Sequence, residues 1–403
     1  MRRPIRIRIK PSNPFVTGHI AGIRPISNWV SRMTEMQGRF SVVVPVLNSK
    51  DHLRGCLDSI LAAMERQGNC ELIVLDNGSD DGSYEILCSE YASRARVQQI
   101  RGIPVSALRN RGAELASGEF LTFIDSDCLI GIDYFACALP VLQTRADATG
   151  SEYAVEDSDH WIQTTWRALH VPDGDGFVKY IASGNLVIKR RAFLAVGGFD
   201  EKMISCEDAE LGLRLNKAGF KVYQSHAVRA LHPGGDQDLG VFFRKNAWRS
   251  LGMFRATKHA WISKPLISTF AHLFLCVAAL VNLFASYAAP LTRIAVSLVL
   301  VNLAPVLTVL YFAMRVKRLP SLFKSILLYH VYLLARFYAL WNIVVSMGAS
   351  PERKVAIGAR LHSAADVLNP RTPDRREVVD PHAGTFEPEG ERAVLSGTHD
   401  RAR

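Results

Sequence analysis

Phe120-Leu121-Thr122-Phe123-Ile124-Asp125-Ser126-Asp127 decides how this chain folds. A run of β-favouring residues passes without a break into two carboxylates that flank a serine. Such a run predicts a strand buried on both faces, and the abrupt change of polarity marks its carboxyl end. Working upstream, Ser106 to Ser117 predicts a helix and Val97 to Ile100 a strand. Asp80 to Tyr91 reads as helix, preceded by a strand over Glu71–Leu75 that stops at Asp76-Asn77-Gly78-Ser79. Leu53, Cys56, Leu57, Ile60 and Leu61 repeat at helical spacing between Lys50 and Met64, with Asn48-Ser49 placed to cap that helix. Phe40–Val46 is a further buried-strand run. Strand and helix alternate, so the fold class is α/β, a mostly parallel sheet with helices on its faces. Ligands of such sheets bind beyond the carboxyl ends of the strands. Polar clusters fall there at Pro45–Asn48, Asp76–Ser79 and Asp125–Asp127.

Charge divides the 403 residues more sharply than the net +10 indicates. Residues 1–39 hold eight Lys/Arg and one acid, and read as a basic extension. Residues 40–238, the α/β domain, hold 19 basic and 28 acidic residues, net −9. Residues 239–351 hold 12 basic residues and no acid. A nucleic-acid groove would put the basic patch on the folded body, so that partner class is excluded. Basic residues interleaved with apolar runs point instead to an anionic membrane surface. Residues 239–265 read as a basic amphipathic connector. Within 266–347, two uncharged runs predict a helical hairpin over 266–288 and 292–314, turning near Pro290. A third run, 325–347, contains His330, Arg336 and Asn342 and reads as a spanning, interfacial or bundle-facing helix. Residues 348–403 have the composition of a disordered tail. A fragment ending near residue 263 is expected to be soluble or salt-extractable. The seven cysteines show no C-x-x-C pair and read as reduced core thiols.

The motifs resemble those of the family 2 glycosyltransferases. The resemblance rests on Ser41–Asn48, Ile73–Ser83, Arg109-Asn110-Arg111-Gly112, Phe123–Asp127, Ser183-Gly184-Asn185, Gly197-Gly198-Phe199-Asp200 and Cys206–Leu211, in the family's order, over residues 40–235. It implies a GT-A fold, a nucleotide-sugar donor, Mg²⁺ or Mn²⁺, and inversion at the anomeric carbon. By the same resemblance Pro45, Asn48, Asp76, Asn77, Arg109, Asp125 and Asn185 serve the donor, and Leu47 faces the base. Asp125, Asp127 and His232 are the metal candidates. Carboxylates joined by substrate phosphates are the usual ligands of these ions. Asp208 is the implied general base, and the chemistry needs one, because the acceptor hydroxyl must lose a proton as it attacks. Asn77 departs from the acidic residue common in relatives, exchanging an acceptor for an amide that also donates. Trp161, Trp166 and His170 fall where the family's acceptor-facing segment lies; their aromatic side chains suit a sugar face and a core role equally.

The Gln-x-x-Arg-Trp element of processive synthases is absent from Phe242–Arg249, which favours transfer of one sugar or a few. The expected protein is a membrane-anchored transferase of the cytoplasmic membrane, its catalytic domain facing the cytosol. Its expected acceptor is lipid-linked or a surface polysaccharide. The alternatives are a catalytically silent nucleotide-sugar-binding partner, disfavoured by Asp125, Asp127 and Asp208, and a nucleotidyltransferase. The latter is disfavoured by the lack of glycine in Pro45–Asn48.

Overall fold

The computed structural model describes residues 38–153, 160–171, 174–203, 205–232, 238–256, 264–285 and 289–347. Nearly all of the basic extension and the whole C-terminal tail lie outside the described residues. The first half of the domain runs β1 (Phe40–Val46), α1 (Lys50–Gln67), β2 (Cys70–Asp76), α2 (Ser83–Ile86), β3 (Arg96–Gln99), α3 (Val105–Leu115) and β4 (Phe120–Ile124). A single wide turn, Leu87–Tyr91, extends α2 where one longer helix was expected. The strands pair in parallel in the order β3-β2-β1-β4. β1 and β4 are buried along their whole length, as their predominantly apolar runs require. α3 lies close on β1, for a Cβ at Gly112 would stand 2.2 Å from Val43 Cγ1.

The second half adds β5 (Leu129–Ile130), α4 (Tyr134–Thr144), β6 (Ala148–Gly150), α5 (Trp161–His170), β7 (Gly176–Phe177) and β8 (Asn185–Lys189). After these come α6 (Arg190–Ala195), α7 (Glu207–Lys217), β9 (Val222–Gln224) and β10 (Ala230–Leu231). The sheet continues β4-β8-β6-β9-β7, and β8 is antiparallel to both its neighbours. Two pairings position the site. Ile124 faces Asn185 across β4 and β8, which sets Asp125 beside Gly184. Leu231 faces Leu129 across β10 and β5, which brings His232 back to the Asp127 turn.

Four long helices follow: α8 (Leu239–Ala256), α9 (Lys264–Phe284), α10 (Pro290–Val316) and α11 (Leu322–Met347). Three stretches, Leu266–Phe284, Pro290–Val316 and Leu322–Val345, are long and apolar enough to cross a membrane, with mean hydropathies of 2.1, 2.2 and 1.3. α9 and α10 pair as the expected hairpin. Arg293 donates to the Leu283 and Ala285 carbonyls at the end of α9. Asn282 bridges the Arg293 carbonyl and Ser297 Oγ. The third run is bundle-facing on one side, where Arg336 is fully buried against Thr269 and Tyr332.

Of the two roles open to Trp161, Trp166 and His170, the packing role is the one the contacts support. α5 is the junction with the helical region. Trp166 packs on His170, Phe242, Tyr329 and Tyr332, and His170 Nε2 meets Tyr329 Oη at 2.8 Å. Burial pushes the His170 imidazole down to about 4, so it is neutral at physiological pH. Arg318, in the turn between α10 and α11, donates to the Val171 carbonyl. The aromatic surface that looked suited to a sugar is spent on packing.

Candidate active site

The ends of β1 and β2 form the first wall. Asp76 is fully buried. Its carboxylate accepts from the Gly78 and Ser79 amides, the Ser79 hydroxyl and Gln99 Nε2. It is therefore saturated, and it shapes the turn that follows it. Asn77 uses both ends of its amide on one loop residue, donating to the Ile103 carbonyl (2.8 Å) and accepting from the Ile103 amide (3.2 Å). A carboxylate could not make the first bond, which gives the Asn at this position a physical reason. Asn48 adopts φ 50° and accepts from the Asp80 amide. Ser49 precedes α1 but makes no side-chain cap; its hydroxyl meets Ser126 Oγ at 2.5 Å. The expected cap is thus replaced by a tie between the β1 and β4 ends. Pro45 is buried within β1, and Leu47 is exposed at its end.

Asp125 stands on the second wall with both oxygens engaged. Oδ1 accepts from Arg109 at 2.6 Å and Oδ2 from Tyr153 Oη at 3.1 Å. Tyr153 carries no sequence motif and was not anticipated. Its ring lies 5.2 Å from that of His232, and Arg167 fixes its carbonyl. A Cβ at Gly184 would come within 2.0 Å of Asp125 Oδ2 and 2.2 Å of Tyr153 Oη, so only glycine fits. Gly184→Ala is therefore expected to displace Asp125. Overpacking costs about 1–3 kcal/mol, and donor affinity should fall on the order of ten-fold. Nucleotide titration of the variant checks this; unchanged affinity would mean that Asp125 has no part in the donor site.

Asp127 and His232 face each other, Oδ2 to Nε2 at 3.1 Å, each about a quarter exposed. Burial alone would raise the Asp127 carboxyl and lower the His232 imidazole. Their mutual hydrogen bond and charge outweigh it, holding Asp127 below the usual carboxylate range and His232 above its ordinary value. Among the described residues no three His, Cys, Asp or Glu side chains converge as a preformed metal cage. A carboxylate oxygen and an imidazole nitrogen still fit Mn²⁺ or Mg²⁺ as two ligands, the remainder coming from donor phosphates and water. Asp125 offers no unengaged oxygen, so Asp127 and His232 fit the ion better.

The third wall is the start of α7, where Glu207, Asp208 and Glu210 share the first turn. A helix N-terminus favours such charges. Arg109, 4% exposed, bridges Asp125 and Glu207, its second bond 2.8 Å long. It thus ties the end of β4 to the start of α7; the sequence resemblance assigned it to the donor diphosphate. Burial and the neighbouring charge of Glu207 push the Asp208 carboxyl up to about 7. Cys206 just before it is held at φ 60°, a left-handed conformation costly for a residue with a Cβ.

Asn185 does not reach the opening. It is fully buried, accepting from Tyr134 Oη and donating to Ser151 and the Val228 carbonyl. Of the residues expected to bind donor or metal, the structure brings Asp125, Asp127, Arg109 and His232 together, with Asp208 one residue beyond Glu207.

A half-parallel sheet with an Asp-x-Asp turn at its carboxyl edge and an acidic helix start across from it is the arrangement of the GT-A fold. Residues 41–229 match the model of the family described as "Glycosyltransferase like family 2". Over these residues the chain is similar to the family 2 glycosyltransferases. Glycosyltransferase GlyA of Streptococcus pneumoniae is 36% identical over 126 residues, 30% of this chain and 18% of GlyA. Succinoglycan biosynthesis protein ExoA of Rhizobium meliloti is 27% identical over 198 residues, 46% of this chain and 60% of ExoA. The chain thus spans less than two thirds of either relative. The mannosyltransferase PcManGT of Pyrobaculum calidifontis, solved with GDP-Man and Mn²⁺, shares the fold. Its TM-score is 0.50 at 16% identity, covering 78% of this chain and 94% of that one.

Proposed function

We propose that this chain is a membrane-anchored, inverting glycosyltransferase. It moves one sugar or a few from a nucleotide-sugar donor to a hydroxyl of a lipid-linked or surface-polysaccharide acceptor. The observation that carries this reading is the Asp208 carboxyl, raised to about 7 at the start of α7 and linked through Glu207 and Arg109 to the Asp125 turn. A carboxylate of that basicity takes the proton of an attacking hydroxyl near neutral pH. Inversion in one displacement needs that base and no enzyme nucleophile. Asp127 and His232 would hold the divalent ion, which when bound neutralises charge on the departing diphosphate. Arg109 keeps Asp125 and Glu207 in place while this occurs. The ExoA name supports a polysaccharide context and the PcManGT complex supports a nucleotide-sugar donor with a divalent ion.

The test is a hydrolysis screen of the full-length protein over a panel of nucleotide sugars. One donor should be cleaved, the activity should vanish on exhaustive chelation, and Mn²⁺ or Mg²⁺ should restore it. Asp127→Ala should weaken metal-dependent donor binding. Activity that survives chelation would remove the metal from the scheme.

The catalytic domain sits against the turn between α10 and α11, where Arg315, Lys317 and Arg318 cluster. α8 adds Arg244, Lys245 and Arg249. Basic residues gather on the cytoplasmic side, which supports a cytosolic catalytic domain with the Phe284 end of α9 and the Pro290 start of α10 on the far side. Full-length protein should remain in membranes through high-salt and carbonate washes, because burial of α9–α11 in lipid is not screened by salt. Release by carbonate would refute the spanning helices.

A further inference from the structure

α8 reaches the active site through the turn that precedes the base. Ser205 Oγ donates to the Trp248 carbonyl (3.2 Å) and Cys206 Sγ to the Arg249 carbonyl (3.4 Å). These two residues lead directly into Glu207 and Asp208. On its other side α8 packs along α11, with Phe242 fully buried against Leu328 and the Phe243 ring 5.7 Å from that of Tyr338. α8 therefore lies between the general base and the apolar helices.

Arg249 is exposed, and its guanidinium makes no hydrogen bond or ion pair among the described residues. Three other arginines at this end of the domain are engaged. Arg109 holds two carboxylates, Arg167 the Tyr153 carbonyl, and Arg214 Glu210. The charge of Arg249 acts on Glu152, Tyr180 and Cys206, the residue two before Asp208. Burial raises the Glu152 carboxyl and the Tyr180 hydroxyl, and the positive charge of Arg249 partly offsets both. The Tyr180 side chain is 45% exposed, leaving ring surface open beside the base.

The domain is net −9, and Glu152, Glu207 and Asp208 crowd this side of the site. An anionic acceptor would be repelled there unless a cation met it. A guanidinium binds phosphate through paired hydrogen bonds, which an ammonium matches less well. The donor diphosphate belongs at the other end, against the β1, β2 and β4 edges.

We propose that Arg249 binds the phosphate of the acceptor, and that the acceptor is a sugar joined through phosphate to a lipid, approaching along the side where α8 meets α11. The proposal rests on the transferase reading above and narrows its acceptor class.

The test uses full-length protein in dodecyl maltoside micelles and three probes: dodecyl phosphate, uncharged dodecyl glucoside and dodecyl glucuronide. Nucleoside diphosphates are titrated in parallel. Arg249→Gln should weaken dodecyl phosphate binding on the order of 10- to 100-fold, the loss expected for a charge-assisted hydrogen bond. Arg249→Lys should recover part of it, while glucoside and nucleotide affinities stay within two-fold. Unchanged dodecyl phosphate binding would overturn the proposal. So would an equal loss of nucleotide affinity, which would assign Arg249 to the donor. A dependence confined to the glucuronide would place the anion on the sugar and also overturn it. Failure of the wild type to bind any nucleotide sugar would sink the transferase reading alone, since the dodecyl phosphate titration needs no donor.

Discussion

Asp208→Asn is expected to cut sugar transfer by about 10²–10⁴-fold, the usual contribution of a positioned general base. Donor affinity should stay within a few-fold. The amide has the same shape but cannot accept the proton of the acceptor hydroxyl. The pH profile makes the assignment specific. Burial and the Glu207 charge lift the wild-type carboxyl to about 7. The active form is the deprotonated one, so kcat/KM should rise about ten-fold per pH unit below that value and level off above it. The residual activity of the Asn variant should lack this limb. Initial rates from pH 5 to 9 on both proteins decide it. A variant that keeps more than a tenth of wild-type turnover excludes Asp208 as the base.

Arg109→Met is expected to cost about 3 kcal/mol of stability, the low end for removing one partner of a buried ion pair. The low end applies because the Asp125 side chain is 31% exposed and can recover some hydration, whereas Glu207 at 9% cannot. Arg109→Lys keeps the charge but cannot span both carboxylates and should fall between. Thermal unfolding of the full-length proteins gives the order. If Arg109 instead bound the donor diphosphate alone, nucleotide affinity would collapse while the melting temperature held. That pattern would disprove its role as a strut.

The parallel half of the sheet was legible because β1, β2 and β4 are predominantly apolar and end in polar turns. The same ends mark Asp76, Asp125 and Asp127. The role of Arg109 had a readable signal. It shares a helical face with Ser106, Ala113 and Gly112, all buried, and a cation on such a face requires carboxylate partners. The His232 contact depends on the β5 and β10 pairing, between two-residue strands about 100 positions apart, which no local pattern reveals. Asn185 looked like a site residue because its motif lies at a strand end. The antiparallel register of β8 turns it towards Tyr134 and Ser151 instead. The aromatics of α5 have the composition of a sugar platform and the contacts of a core. Only their partners on α8, α10 and α11 distinguish the two.

The tie between the 205–206 turn and α8 bears on how this enzyme can be taken apart. A fragment ending near residue 263 keeps α8 but strips it of α11, baring Phe242, which is fully buried in the intact chain. Such a piece is expected to seek lipid or its own kind, so its solubility depends on what covers Phe242. One ending before α8 loses the carbonyls that hold Ser205 and Cys206, and the strained backbone at Cys206 is free to relax and carry Asp208 out of line. The α/β domain and the apolar helices are therefore not exchangeable cassettes. A chimera that grafts foreign helices onto this domain would inherit the ends of β1, β2 and β4 but would have to rebuild the start of α7.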